Sequence, residues 1–289
     1  MSLYGGVEGG GTKWECAIGT GPDDVRAAAT VPTTTPAETI GAIVEFFLRE
    51  GPVDAVGIGS FGPLDARPGS ATWGYVTTTP KRGWQNADVG QEIRRRLGVP
   101  VAFDTDVNAA ALGEHRWGSG RGLRSIWYVT VGTGIGGGAV VDGQLLHGLS
   151  HPEFGHLRVP HDRAADPFPG SCPYHGDCLE GLASGTALEA RWGRAADQIQ
   201  DDAAWALEAR YLALGLLATV AVLSPERIVV GGGVARHPGL LQRVQGELTT
   251  LMNGYLGFEL PTGYVTEPAL GARAGVLGAI ALAETAAAT

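Results

Sequence analysis

The 289-residue sequence predicts an α/β protein built from two similar lobes. Strand-like and helical patterns alternate along the chain, which is typical of this fold class. A strand, a glycine-rich turn and a second strand occur near residue 10 and again near residue 135, which indicates a weak internal repeat. We expect the two lobes to touch closely, with a cleft between them.

Strands, helices and one long loop are predicted in the first half of the chain. The strands are at 3–7, 13–18, 53–58 and 100–103. The first helix covers 37–50, because Ile40, Ile43, Val44, Phe47 and Leu48 recur on one helical face. A second helix is predicted at 88–97, and a third opens at 104–108, directly after a strand. The stretch 66–84 has the composition of a loop.

The second half repeats the pattern of strand, turn and strand. Strands are predicted at 125–131 and 139–141 around a glycine turn at 132–138, and at 227–230 before another glycine turn. Residues 147–181 read as irregular, and the helices are at 201–223, 238–252 and 269–286. We assign 1–111 plus 269–289 to the first lobe and 112–268 to the second.

Composition excludes several functional classes. The formal net charge is −9 and the pI is near 5.2, which disfavours a generic nucleic-acid or anionic-membrane binder. No stretch approaches the roughly 18 apolar residues of a membrane helix. The N-terminus lacks the order of a signal peptide, and three cysteines are too few for a disulfide framework. A cytoplasmic, reducing compartment is therefore expected.

Three glycine clusters follow strands, at 9–11, 132–138 and 231–233. Glycine lets backbone N–H groups converge on an anion, so the clusters favour a nucleotide over simple tight hairpins. A dinucleotide fingerprint is rejected, because a strand and not a helix follows the second cluster. A Walker A loop fails too, because the order is Gly11-Thr12-Lys13. What remains is a pair of hairpins that embrace phosphate.

Cysteine and histidine cluster between residues 147 and 178. Cys172, His175 and Cys178 are spaced by three, and His156 is the best fourth ligand. Two thiolates and two imidazoles suit a tetrahedral, structural Zn²⁺, which we favour over a metal-free loop or an open hydrolytic site. The third cysteine, Cys16, is predicted to be a small buried residue on a strand.

Carboxylates that could act as a base lie at two places. Asp106 stands where a strand ends and a helix begins, with Asp104 two residues earlier. A helix N-cap is the alternative interpretation of either residue. Glu153 and Glu180 flank proposed zinc ligands, so a metal would hold them rigidly near sugar hydroxyls. Their alternative interpretation is solvated loop charge.

These motifs together resemble the ROK family of sugar kinases, and within it the bacterial fructokinase branch. The matching segments are 6–13, 104–114, 131–138, 153–156, 172–185 and 231–234. Glu8, Thr105 and His175 depart from the broad family pattern, in which Asp, Asn and Cys are usual. With the segment 77–84, these departures favour fructose over glucose and the 6-hydroxyl as acceptor.

The resemblance implies two ribonuclease-H-like lobes of the actin/hexokinase type, with ATP, Mg²⁺ and sugar in the cleft and a structural Zn²⁺ beside it. Asp106 would be the base, and Asn108 would brace its segment. The implied sugar residues are Glu153, His156, Glu180, Asn108, Gly62 and Thr79. The implied nucleotide residues are Glu8, Gly10, Gly11, Thr12, Lys13, Thr133, Gly134, Gly232 and Gly233. The implied zinc ligands are His156, Cys172, His175 and Cys178. A homodimer is also implied.

Three other functions are alternatives to the fructokinase hypothesis. A glucokinase or mannokinase would share the fold and most motifs. A sugar-responsive repressor would carry a helix-turn-helix before the first phosphate motif, which here starts about five residues into the sequence. A sugar-binding protein without turnover would need vestigial phosphate loops, whereas both loops are intact. Retention of Asp106 favours catalysis.

Overall fold

The structure is a computed structural model that describes residues 2–287. Its strands are β1 (Tyr4–Gly9), β2 (Lys13–Gly21), β3 (Asp24–Pro32), β4 (Ala55–Ser60), β5 (Leu64–Asp65), β6 (Tyr75–Val76), β7 (Ala87–Asp88), β8 (Val101–Thr105), β9 (Ser125–Val131), β10 (Ile135–Val141), β11 (Gln144–Leu145), β12 (Arg227–Gly231) and β13 (Val265–Thr266). Its α-helices are α1 (Pro36–Glu50), α2 (Gly90–Leu97), α3 (Asp106–Trp117), α4 (Leu179–Ala183), α5 (Gly185–Trp192), α6 (Asp202–Leu223), α7 (Leu240–Met252) and α8 (Ala274–Ala287).

The two main sheets have the same topology. The first has the order β3-β2-β1-β4-β8, and the second has the order β11-β10-β9-β12-β13. In each sheet the first three strands along the chain pair antiparallel, and the last two join in parallel. The predicted α/β class and the repeat of strand, turn and strand are therefore confirmed. The short strands β5, β6 and β7 form a separate three-stranded sheet, of which β6 lies within the segment 66–84 that was predicted as a loop.

The predicted glycine turn at 132–138 is shorter than expected, because β10 already begins at Ile135. A Cβ at Gly137 would lie 2.6 Å from the Trp127 ring, and a Cβ at Gly138 would lie 2.5 Å from Asn108 Oδ1. These glycines therefore allow close packing across the strand, which sequence alone does not distinguish from a turn. The segment 147–181, predicted as irregular, also contains the start of α4.

Helices α3 and α8 cross in very close contact. A Cβ at Gly278 would lie 1.7 Å from the carbonyl oxygen of Ala109, and one at Gly113 would lie 2.8 Å from that of Ala274. Helix α8 also packs on β1 and β4 of the first sheet, whereas α3 contacts both main sheets. The C-terminal helix thus packs against the first sheet. Residue 111 lies inside α3, so the lobe boundaries themselves stay a prediction.

Helix α6 meets the length and hydropathy that a membrane span needs, so the prediction that no segment is that apolar was wrong. Its most apolar 18-residue window has a mean hydropathy of 1.7, but half of that window is buried in the protein. Trp205, Leu212 and Leu216 of this helix belong to the core of the second lobe. The helix therefore has the packing of a core helix.

The α3–α8 crossing gives a stability test. Gly278→Ala should lower the free energy of unfolding by at least about 1–3 kcal/mol, because the new methyl group has no space beside Ala109. Gly246→Ala is the matched control, since Gly246 is an exposed glycine inside α7 with nothing near its Cβ position. The control should gain about 0.5–1 kcal/mol from helix propensity. Urea unfolding measures both, and equal values would contradict the packing argument.

Candidate active site

Asp106 is the first residue of α3, directly after β8. Thr105 is the N-cap of this helix, and its hydroxyl accepts a hydrogen bond from the Asn108 backbone N–H at 3.1 Å. The alternative in which an aspartate caps the helix is therefore wrong. Asp106 Oδ1 accepts from the N–H of the next residue, Val107, at 2.9 Å. The cap thus leaves the Asp106 carboxylate available for chemistry.

Three carboxyl groups that are only partly shielded from solvent, those of Glu8, Asp106 and Glu153, share this region. Burial raises the pKa of Asp106 to about 7, and the charge of Glu153 raises it further, against a backbone hydrogen bond from Val107. Burial likewise raises the pKa of Glu8 to about 7, with the Asp106 carboxylate adding to the effect. Partial burial also raises the pKa of Glu153, opposed by His151 and His156 and reinforced by Glu180. The cleft is therefore a place where a proton or a cation binds readily.

Asp104, two residues before Asp106, is buried. Its Oδ1 accepts from Asn108 Nδ2 at 2.8 Å, and its Oδ2 lies 2.7 Å from Nε2 of His147. This contact with Asp104 raises the pKa of His147. Asn108 is fully buried, so its side chain supports the segment from within. The Asp104–His147 pair joins the end of β8 to the loop after β11, and no sequence pattern indicated it.

The loop carrying Glu153 contacts the first lobe through His151. His151 Nε2 accepts from the Leu64 N–H at 3.2 Å, and a Cβ at Gly62 would lie 3.5 Å from the same ring. His151 Nδ1 lies 3.4 Å from Glu153 Oε1. Gly62 and Glu153, both predicted sugar residues, therefore lie on either side of one buried histidine. His151 is a residue that sequence reasoning did not assign.

The first phosphate turn, residues 10–13, joins β1 to β2. Its carbonyl oxygens are occupied: that of Gly10 accepts from the Thr33 hydroxyl at 2.9 Å, and that of Thr12 accepts from the Thr33 N–H at 2.9 Å. The Gly11 carbonyl accepts from Lys81 Nζ. Within the described residues, the N–H groups of Gly11 and Thr12 have no acceptor. The turn therefore offers donors for an anion.

The second phosphate turn, residues 132–134, joins β9 to β10. Its carbonyls accept from the start of α5, with Gly185 N–H to Gly132 at 2.7 Å and Thr186 Oγ1 to Thr133 at 2.8 Å. Next to it, Glu180 Oε2 accepts from the Ile135 N–H at 2.9 Å. Glu180, predicted at the sugar, is thus also joined to this turn.

The third glycine cluster lies against the same strand end. Gly232 has φ +95°, and a Cβ there would lie 2.3 Å from the Val131 carbonyl oxygen. Only glycine fits this left-handed position at such a short distance. Gly233, its neighbour, is exposed with open space at its Cβ position. The predicted nucleotide residues Gly232 and Gly233 therefore lie close to the second phosphate turn.

Two histidines and two cysteines meet at one point. They are His156, Cys172, His175 and Cys178, here called the Cys/His quartet. Their ligand atoms lie within 4.8 Å of one another. The two Nδ1 atoms are 3.3 Å apart, and His156 Nδ1 lies 3.7 and 3.6 Å from the two Sγ atoms. Tetrahedral Zn²⁺ at ordinary bond lengths requires about 3.3 Å between nitrogens and about 3.6 Å from nitrogen to sulfur. The quartet therefore fits zinc in both donor set and spacing.

Ion pairs anchor the loop that carries the quartet. Asp177 contacts Arg158 at 2.9 Å, Arg163 at 2.6 Å and His161 at 3.2 Å. These partners hold the pKa of Asp177 at about 2. The next anchor is Asp166, which is buried and accepts from the Tyr211 hydroxyl at 2.6 Å. The loop is thus tied to α6, an arrangement that sequence spacing did not reveal.

Two other predicted site residues have different surroundings from those expected. Thr79 is 1% exposed, and its hydroxyl accepts from the Lys81 N–H at 3.2 Å. Lys13 is exposed, and its ammonium group pairs with Glu15, which lies two residues further along the same strand. Their assignments to sugar and nucleotide stay predictions.

Comparison with known proteins matches residues 4–286 to the ROK family. A fructokinase from Zymomonas mobilis is 46% identical, with 97% of this chain and 96% of that protein covered. A ROK hexokinase from Thermus thermophilus superposes with a TM-score of 0.80 at 30% identity, covering 98% of both chains. A ROK glucokinase from Streptomyces griseus, solved with glucose and AMPPNP, gives a TM-score of 0.74 at 27% identity, covering 98% of this chain and 100% of that one.

The matched sheets, the two phosphate turns and the Cys/His quartet thus agree with a match over nearly the whole chain. The resemblance seen in the sequence is confirmed, and so is the two-lobed actin/hexokinase type of fold. The chain belongs to the ROK family.

Proposed function

We propose that this protein transfers the terminal phosphoryl group of ATP to the 6-hydroxyl of fructose, with Asp106 as general base. The observation that carries the proposal is the position of Asp106. Its carboxylate is held in a desolvated region beside Glu8 and Glu153, with a pKa raised to about 7, at the start of a helix that contacts both sheets. A base of this pKa can accept a proton near neutral pH.

The reaction needs one proton acceptor and a well-held phosphate. Asp106 takes the proton of the sugar 6-hydroxyl while the oxygen of that hydroxyl bonds to the terminal phosphorus. The bond from that phosphorus to the bridging oxygen breaks, and ADP leaves with the electron pair. Backbone N–H groups of the two phosphate turns hold the phosphate chain, so most of the catalysis is positioning and charge stabilisation.

Sugar recognition is assigned to Glu153, His156 and Glu180. Glu180 is hydrogen-bonded to the Ile135 N–H, so it connects the sugar side with the second phosphate turn. His156 Nδ1 points to the centre of the Cys/His quartet, which leaves Nε2 of the ring for a hydroxyl group. This arrangement would align the acceptor hydroxyl of the sugar with the terminal phosphate of the nucleotide.

Two metal ions are part of the proposal. The Cys/His quartet would hold Zn²⁺, whose chemistry is structural because four protein ligands close its coordination. Burial raises the pKa of Glu8, and repulsion between the carboxylates of Glu8 and Asp106 raises it further. A cation would relieve this repulsion, so the pair suits Mg²⁺ bound with ATP. Mg²⁺ would neutralise charge on the phosphates.

Fructose is favoured over other hexoses by sequence similarity. Identity to the Zymomonas mobilis fructokinase is 46%, against 27% to the Streptomyces griseus glucokinase. Glu8, Thr105 and His175, together with the segment 77–84, also favour the fructokinase branch. We further propose a cytoplasmic homodimer, as the family resemblance implies.

The first prediction concerns substrate choice. Coupled ADP release with MgATP should be fastest by far with fructose among fructose, glucose, mannose and N-acetylglucosamine. A preference for another hexose would contradict the choice of sugar and leave the kinase class intact. No ADP release with any of the four would favour a sugar sensor or binding protein.

The second prediction concerns the base. Asp106→Asn should lower kcat by about 10²–10⁴-fold or more, because the amide cannot accept the proton. Fructose binding, measured by calorimetry, should persist. Asp197→Asn is the matched control, since Asp197 is exposed on the surface of the second lobe. Turnover at the control's rate in Asp106→Asn would overturn the assignment.

The third prediction concerns the Cys/His quartet. Cys178→Ser should lose bound zinc and weaken fructose binding together, because the metal fixes the ring of His156. Elemental analysis and calorimetry measure the two effects. Cys16→Ala is the control: Cys16 is buried in the first lobe, so its loss should leave the zinc content unchanged. Purified protein without zinc would show that the ligand set is wrong.

A further inference from the structure

The two lysines of the chain converge on one turn. The sequence has 19 arginines and only Lys13 and Lys81 as lysines. Lys13 belongs to the first phosphate turn. Lys81 lies 70 residues beyond Gly11 in sequence, yet its Nζ donates to the Gly11 carbonyl at the centre of that turn. A lysine is a compact cation with three donors on a flexible stem, which arginine does not replace.

The two ammonium groups differ in their partners. Lys13 pairs with Glu15, which also accepts from the Thr30 hydroxyl at 2.8 Å, so its charge is neutralised on the sheet edge. Lys81 has no carboxylate partner among residues 2–287, and the carbonyl of Gly11 is its acceptor. Of the two lysines at the first phosphate turn, Lys81 is therefore the one whose charge is not paired with a carboxylate.

The loop that presents Lys81 is anchored on both sides of it. Trp84 is fully buried, stacks on Trp14 with ring centroids 5.5 Å apart, and donates to the Thr34 carbonyl at 2.9 Å. On the other side, the Lys81 N–H donates to Thr79 Oγ1 at 3.2 Å. With the backbone held this way, the flexible part is the Lys81 side chain.

The same loop also contacts the segment on the sugar side of the cleft. The Thr77 N–H donates to the Pro63 carbonyl at 2.7 Å, and Trp84 packs edge-to-face on Phe61. The next residue, Gly62, faces His151, which neighbours Glu153. Lys81 is therefore presented between the sugar side and the first phosphate turn, where the terminal phosphate of a nucleotide would lie.

We propose that Lys81 is a catalytic residue that binds the terminal phosphate of the nucleotide. The inference rests on the proposed kinase function. When nucleotide binds, the ammonium group leaves the neutral Gly11 carbonyl for a charged phosphoryl oxygen, a stronger acceptor. It stays on that oxygen while the sugar oxygen bonds to phosphorus and the bridging oxygen departs. Asp106 receives the proton, so Lys81 supplies only charge and hydrogen bonds.

The test compares Lys81→Ala, Lys81→Gln and Lys81→Arg with the wild type. Lys81→Ala should lower kcat by about 10²-fold or more, as expected for the loss of one charged donor. Its affinity for AMPPNP should fall about tenfold or more, because a hydrogen bond to the terminal phosphate is lost. Its affinities for ADP and fructose, which do not involve that phosphate, should stay at the wild-type values. Calorimetry and coupled ADP release measure these quantities.

The other variants separate charge from loop anchoring. Glutamine can donate to the Gly11 carbonyl but carries no charge, so Lys81→Gln should remain as impaired as Lys81→Ala. Lys81→Arg should recover part of the activity. Arg82→Ala, which removes the neighbouring exposed cation, should match the wild type.

Three results would overturn the inference. The first is wild-type kcat and AMPPNP affinity in Lys81→Ala. The second is equal loss of ADP and AMPPNP binding, and the third is rescue by glutamine; both would make Lys81 a loop anchor. Failure of the proposed function gives a different result, because the wild type itself would then release no ADP with any hexose. Even then, the comparison of AMPPNP with ADP decides whether Lys81 contacts the terminal phosphate.

Discussion

Helices α3 and α8 cross with almost no side chain between them, and this contact positions most of the site. Gly278 lies against the Ala109 carbonyl, and a Cβ at Gly275 would lie 2.2 Å from the carboxyl group of Glu8. One helix therefore carries Asp106 at its first residue, while the start of the other determines where Glu8 lies. Because packed interiors hardly compress, a change in this crossing would move both carboxylates. The glycine and alanine content of α8 is thus a requirement of the site as well as of the core.

An acidic protein that binds a polyanion needs positively polarised or charged groups directly at the binding site. The net charge of −9 and the carboxylates of the cleft oppose ATP, so the phosphates must be met by fixed dipoles and a few cations. Both phosphate turns solve this in the same way. Their carbonyl oxygens accept hydrogen bonds from neighbouring segments, Thr33 and Lys81 at the first turn and the start of α5 at the second. Among residues 2–287, the N–H groups of Gly11 and Thr12 in the first turn and of Thr133 and Gly134 in the second have no acceptor, so they can meet a phosphate without reorganisation.

The Cys/His quartet serves a segment that has little apolar core of its own. Ion pairs around Asp177 and the buried contacts of Asp166 hold the outer loop to α6. The ligands Cys172 and Cys178 are buried beneath it, and α4 begins directly after Cys178. Glu180, one residue into that helix, bonds to the Ile135 N–H. The loop that carries the quartet and the second phosphate turn are therefore joined through the Glu180 carboxylate.

The sequence by itself determined the family, the α/β class, the order of most elements and which four Cys and His residues meet in the quartet. These features depend on local periodicity and on short motifs, which a linear pattern records. It did not predict that Thr105 caps α3, that Gly136 to Gly138 lie in a strand, or that Asn108 is fully buried. Nor did it bring Lys81 to Gly11 or His151 to Leu64, pairs that are 70 and 87 residues apart. Only the tertiary structure decides such contacts, because they follow from how whole sheets and helices pack and not from the residues adjacent in sequence.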